Sequence, residues 1–241
     1  MSKKGKVLIT FDDGIHNQYH ASQKLDEHNI KAVFGIVTDK IGKPGFCSLD
    51  ELLSMKAQGH IVINHSASHG IFERDTSRPY LKGMSKEEIV QDFEKGKQVL
   101  NDYGFDGDYY MAPFGTMNLD DEIFKEISEK CKWIRLTIGC NIEGEWCLGG
   151  NKRIYPNDYK DNVIGITVAA DCRFPDEVQQ RIDEACEVGG ICIICYHDVC
   201  SIVGEDQKIT WERFCRDVGY MAGKIKNDEL EVILPKDIIK E

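Results

Sequence analysis

The residues with the clearest chemical potential are Asp12 and Asp13, side by side in "ITFDDG" (9–14). Two carboxylates in contact repel unless a cation or a shared proton offsets the charge. They stand where an apolar run ends and a glycine begins, so a strand delivers them to a turn. Imidazoles that could share a cation with them occur in "NHSASHG" (64–70), as His65 and His69. Four residues apart, the two rings point the same way if the chain makes one helical turn there. Two imidazoles and a carboxylate form a metal-ligand set that leaves positions open for water. The neighbouring carboxylate is then placed to take a proton from that water. A third histidine, His197, ends the apolar run "GICIICYHD" (190–198).

The elements that must position these groups follow from the hydrophobic pattern. Near-continuous apolar runs lie at 6–11, 31–37, 60–64, 108–112, 133–138, 163–169, 190–196 and 230–235. Such runs suit strands covered on both faces. Amphipathic stretches alternate with them at 16–29, 49–58, 85–103, 120–131, 175–188 and 211–227. Ser48, Ser85 and Asn118 stand as caps, and Ser85 with Glu88 forms a capping box. Alternating strands and helices indicate an α/β chain with a parallel sheet, either open and doubly wound or closed as a barrel. Ligands in such folds bind where strands end, and the acidic pair and three histidines all fall there. No Gly-rich linker divides the 241 residues, so residues 1–241 read as a single domain. The Gly- and Asn-rich segment 139–162 reads as a surface excursion.

Composition narrows the partners. The net charge is −11, from 41 acidic and 30 basic residues, with no basic stripe. That argues against nucleic acid and against a polybasic membrane patch. No run reaches the ~18 apolar residues of a membrane span, and the first apolar run is too short for a signal peptide. A cytoplasmic location is the expectation. The ten cysteines sit largely in apolar contexts, as reduced buried thiols do. Cys192 and Cys195 are three apart on a strand and should face opposite sides, so they should not share a zinc. The pair His16 and His20 lies past the strand end and reads as a solvated helix face.

"TFDDG", "HSASH", "APFG" and "ICYHD", in this order, resemble the motifs of the polysaccharide deacetylase (NodB-homology, carbohydrate esterase family 4-like) family. The likeness spans residues 7 to about 199. It implies a single-domain distorted (β/α) barrel with about seven parallel strands. It further implies a metal-dependent hydrolase that removes an acyl group, acetyl first, from an N-acylated carbohydrate. Asp12 matches the catalytic base, and Asp13, His65 and His69 match the ligands of a divalent ion, zinc first, with cobalt, nickel or manganese as alternatives. Pro113, Phe114 and Gly115 match the groove-lining turn, with the Phe114 N–H as an oxyanion donor. His197 matches the catalytic acid, and Asp171 the carboxylate that orients it.

Three departures from the family pattern stand out. Met111 replaces an arginine that usually pairs with the base. Cys172 and Cys195 replace a tryptophan and a leucine that usually close the pocket for the acyl methyl. Arg135, on the next strand, is the candidate substitute for the missing cation if it points inward. Two alternatives stay open: a non-catalytic glycan-binding relative, and an amide hydrolase of the same fold acting on a small non-sugar substrate.

Overall fold

The computed structural model describes residues 4–73, 82–114, 121–136, 139–142, 145–147, 154–170, 177–200 and 208–239. Nine strands form the main sheet: β1 (Gly5–Phe11), β2 (Val33–Ile36), β3 (Ile61–Asn64), β4 (Asp106–Met111), β5 (Trp133–Leu136), β6 (Val163–Gly165), β7 (Val168–Ala169), β8 (Ile191–Tyr196) and β9 (Leu230–Val232). Their order is β6-β5-β4-β3-β2-β1-β8-β7, and every pair is parallel. β9 lies along the first half of β1, on the edge whose second half takes β2.

The run 163–170 joins the two edges of this sheet. Its first half, β6, pairs with β5, and Ile166 N–H donates to the Leu136 carbonyl. Its second half, β7, pairs with β8, and Thr167 N–H donates to the Ile193 carbonyl. One stretch of chain therefore changes partner midway and links β5 to β8. The result is the distorted barrel the resemblance implied, with a break where a single strand was expected.

Alternation along parallel strands separates two environments. One set of side chains fills the lumen: Leu8, Val33, Ile63, Met111, Trp133, Ile164, Ile193 and Cys195. The other set packs outward against the helices, as Val7, Ile9, Phe11 and Cys192 do. Cys192 and Cys195 thus face opposite sides, as the spacing required.

The helices are α1 (Asn17–Asp26), α2 (Leu49–Ala57), α3 (Lys86–Asp102), α4 (Asp121–Ser128), α5 (Glu177–Val188) and α6 (Trp211–Lys226). Ser48 and Ser85 both form full capping boxes, with Glu51 and Glu88. Each such cap contributes about 1 kcal/mol. Asn118 lies outside the described residues.

The segment 139–162 is more than a surface excursion. Gly139–Ile142 and Glu145–Cys147 form an antiparallel ribbon. Tyr155 is buried, exchanges backbone hydrogen bonds with Ile191, and accepts from Gly165 N–H at its hydroxyl. It helps to fill the lumen where the strands begin.

Candidate active site

β1 delivers the two aspartates. Asp12 N–H donates to the Tyr196 carbonyl at 3.0 Å, continuing the ladder with β8. At Asp13 the backbone turns to φ +83, a conformation rare for a residue with a side chain. The turn sends the two carboxylates to different neighbours.

β3 delivers the histidines. His65 N–H donates to the Ile36 carbonyl at 3.0 Å. The expected helical turn from 65 to 69 is not formed. Ser66 and His69 instead take φ +65 and +63, and His69 N–H donates to Ser66 Oγ at 2.8 Å. The rings still converge, with centroids 4.9 Å apart. Among the described residues, six non-glycines have positive φ, and Asp13, Ser66, His69 and Phe114 are four of them. Backbone held in this region costs roughly 1–3 kcal/mol per residue and persists where the surroundings enforce it.

Helix α3 does the enforcing on the histidine loop. Ala67 N–H donates to the Asp92 carbonyl at 3.0 Å and Ser68 N–H to Asp92 Oδ1 at 2.9 Å. Asn64 Nδ2 donates to the Phe93 carbonyl at 3.0 Å. Gly96 permits this closeness: a Cβ there would lie 2.3 Å from Asn64 Oδ1 and 2.8 Å from the Ser66 carbonyl carbon.

The donor atoms of Asp13, His65 and His69 meet at one place. Asp13 Oδ1 is 3.4 Å from His65 Nε2 and 3.2 Å from His69 Nε2. Donors bound to one ion by bonds of about 2.0–2.2 Å stand roughly 3.3–3.5 Å apart in a tetrahedral set. The ring tautomer of His65 also fits. Its Nδ1 lies 2.7 Å from the Met111 carbonyl, which can only accept, so Nδ1 carries the proton and Nε2 is left as a ligand. Burial opposes ionisation of Asp13, but when the two rings carry both their protons, hydrogen bonds and charge from His65 and His69 hold its carboxyl well below the ordinary range. These three residues fit a divalent ion.

Asp12 sits beside them. Its Oδ2 is 3.9 Å from both His65 Nε2 and His197 Nε2. Its Oδ1 accepts from Arg135 Nη2 in a fully buried ion pair. Burial would push the Asp12 carboxyl up, and the Arg135 guanidinium, helped by His65 and His197, more than offsets that and holds it below the ordinary range.

Gln18 is a contributor that sequence reasoning missed. Fully buried on α1, it donates from Nε2 to the Asp12 carbonyl and, at 3.0 Å, to the His197 carbonyl. It ties the two strand ends together. A signal existed, because Gln18 shares the buried face of α1 with Ala21, Ser22 and Leu25.

Of the other expected residues, Phe114 packs its ring edge-on against His69, centroids 4.4 Å apart. Pro113 is buried next to it. Cys195 faces the lumen, its Sγ close to Asp12 and His197. Gly115, Asp171 and Cys172 lie outside the described residues. His16 and His20 stay on the solvated side of α1, with His16 3.2 Å from Glu51.

Comparison with known proteins decides the family. The sequence model described as "Polysaccharide deacetylase" matches residues 1–130, more than half of the chain. The chain belongs to the polysaccharide deacetylase family. No curated protein sequence matches it. Among solved structures, this polysaccharide deacetylase family member is similar in fold to the peptidoglycan N-acetylglucosamine deacetylase Bc1960. That likeness has 14% identity and a TM-score of 0.64, over 99% of this chain and 90% of that one. It is also similar to a family 4 acetyl xylan esterase from Clostridium thermocellum, solved with a cobalt ion. There the identity is 18% and the TM-score 0.54, over 97% of this chain and 89% of that one. A third neighbour is a mutant of BA3943, a CE4 family pseudoenzyme with restored activity. It shows 17% identity and a TM-score of 0.59, over 99% of this chain and 68% of that one. Among the described residues, no helix is long and apolar enough to cross a membrane.

Proposed function

We propose that the protein is a metal-dependent deacetylase that hydrolyses the acetyl amide of an N-acylated carbohydrate. The observation that carries this reading is the meeting of Asp13, His65 and His69 at one point, with Asp12 alongside and charged by Arg135. The family supports deacetylation. Two structural neighbours, a peptidoglycan N-acetylglucosamine deacetylase and an acetyl xylan esterase, support an acetylated glycan as substrate.

Asp13, His65 and His69 would hold the ion. When bound, it supplies Lewis acidity, which polarises an acyl carbonyl and makes water acidic enough to lose a proton near neutral pH. Asp12 receives that proton. The Arg135 ion pair keeps Asp12 ionised and fixes its orientation, so Oδ2 faces the reacting region. The Phe114 N–H serves the developing oxyanion, as fixed backbone donors do. His197 stands 3.9 Å from Asp12 across the site and protonates the departing amine. An amine leaves poorly unless protonated, so an amide substrate gives His197 its purpose. Asp171 serves as its orienting carboxylate.

A purely glycan-binding role fits the site less well. Binding needs neither a base held ionised by a buried arginine nor an acid opposite it. The test is acetate release from a panel of N-acetyl sugars by metal-loaded protein. Release should require one equivalent of divalent ion, and the His65→Ala/His69→Ala double variant should lose both the ion and the activity. No release from any N-acetyl sugar by the loaded protein would refute the reading.

A further inference from the structure

A second set of ligand atoms lies next to the first. Asp12, Cys195 and His197 each offer one donor, and these atoms all fall within 4.8 Å of one another. We propose that Asp12, Cys195 and His197 form a second, inhibitory site for a thiophilic divalent ion, zinc above all.

Each residue turns one donor atom to this place. Asp12 uses Oδ1 for Arg135, while Oδ2 points at His197 Nε2 from 3.9 Å. A shift of about half an ångström brings that pair to the roughly 3.4 Å separation of two ligands on one zinc. Cys195 reaches the site because the strand's alternation turns it into the lumen, in register with Thr10 two residues before Asp12. Cys192, on the same strand, faces the helices and takes no part. A sulfur, a nitrogen and an oxygen ligand together suit zinc, and the sulfur disfavours magnesium, calcium or manganese. Three protein ligands leave a fourth position for water. As the metal–sulfur bond forms, the Cys195 thiol proton passes to solvent.

The functional consequence rests on the proposed roles of Asp12 and His197. An ion at this site occupies the base and the acid together. Activity then rises with the first equivalent of zinc and falls with the second.

Cobalt titration followed by absorption separates the two sites. In the unmodified chain the second equivalent should bring a thiolate-to-cobalt charge-transfer band. Cys195→Ser should keep the first equivalent, which also reports that it folds, and lack the band. The His65→Ala/His69→Ala variant should lose the first equivalent and keep the band. With zinc, acetate release by the unmodified chain should fall by roughly a hundredfold or more between one equivalent and excess, the scale of withholding a general acid or base. In Cys195→Ser the ratio of those two rates should approach one, whatever its absolute rate. No thiolate band at any cobalt level, or a band that persists in Cys195→Ser, would overturn the second site. If the band behaves as expected and no acetate is released, the binding site stands and the deacetylase reading fails.

Discussion

Met111 and Arg135 are register partners on neighbouring strands β4 and β5. The sulfur of Met111 packs over Gly35, where a Cβ would lie only 2.8 Å from it. Arg135 lies fully inside the barrel, with its guanidinium on Asp12. The cation that the family resemblance implies at position 111 is here supplied one strand over, at the same level. Asp12, the proposed base, therefore has a cationic partner although position 111 holds methionine.

Replacing Arg135 by methionine should raise the acid limb of the pH–rate profile by about 1–3 pH units, the usual influence of a neighbouring arginine on an aspartate. The sign follows from the role. As the proposed base Asp12 acts ionised, Arg135 lowers its pKa, and without that cation it is protonated at higher pH. The variant should also lose roughly 3–5 kcal/mol of stability, because a buried carboxylate loses the cation paired with it. Combining it with Met111→Arg should bring the limb back down. An unmoved limb in the single variant would show that another group supplies the charge.

Gly96→Ala tests the clamp on the histidine loop. In an ordinary helix interior this change stabilises by about 1 kcal/mol. Here the new methyl would meet Asn64 Oδ1 and the backbone of Ser66. We expect a loss of about 1–3 kcal/mol, typical of overpacking, and weaker metal binding. Thermal unfolding and metal titration read the two effects, and a stabilised variant with unchanged affinity would contradict the clamp.

Asp217 gives a pH dependence of stability unrelated to the metal. It is fully buried on α6, with the Tyr196 hydroxyl and Gln179 Nε2 donating to it at 3.5 and 3.4 Å. Burial pushes its carboxyl up to about 6, against an ordinary 3.8. Between those values the folded chain holds a proton that the unfolded chain has lost. Stability from this group is therefore greatest below about pH 4 and falls as pH rises to 6. Asp217→Asn should flatten that slope and stabilise the protein near pH 7 by on the order of 1–3 kcal/mol. Chemical denaturation at pH 4 and pH 7 measures both, and an unchanged slope in the variant would refute it.

Much of this fold is legible in the sequence because burial on both faces writes strands as unbroken apolar runs. The six helices among the described residues and the Ser85 capping box follow from amphipathic spacing and cap chemistry. The proposed metal-binding role of Asp13, His65 and His69 is legible in residue type and position after strands. The route by which the histidines converge is not, because it depends on left-handed turns at Ser66 and His69 that contacts with α3 hold in place. Gln18 required knowing which face of α1 is buried. Arg135 was visible as a charge inside "WIRLTI", but its partner depends on the register between β4 and β5. The division of 163–170 into two strands is set by closure of the barrel, which no local pattern records.

The most direct test is the rate of acetate release by zinc-loaded Asp12→Asn and His197→Ala, with bound zinc measured on the same samples. Each should keep one equivalent of zinc at Asp13, His65 and His69. Each should lose roughly 10² to 10⁴ in turnover, the usual contribution of a general base or acid. Unchanged turnover in both variants, with zinc retained, would contradict the assignment of Asp12 and His197.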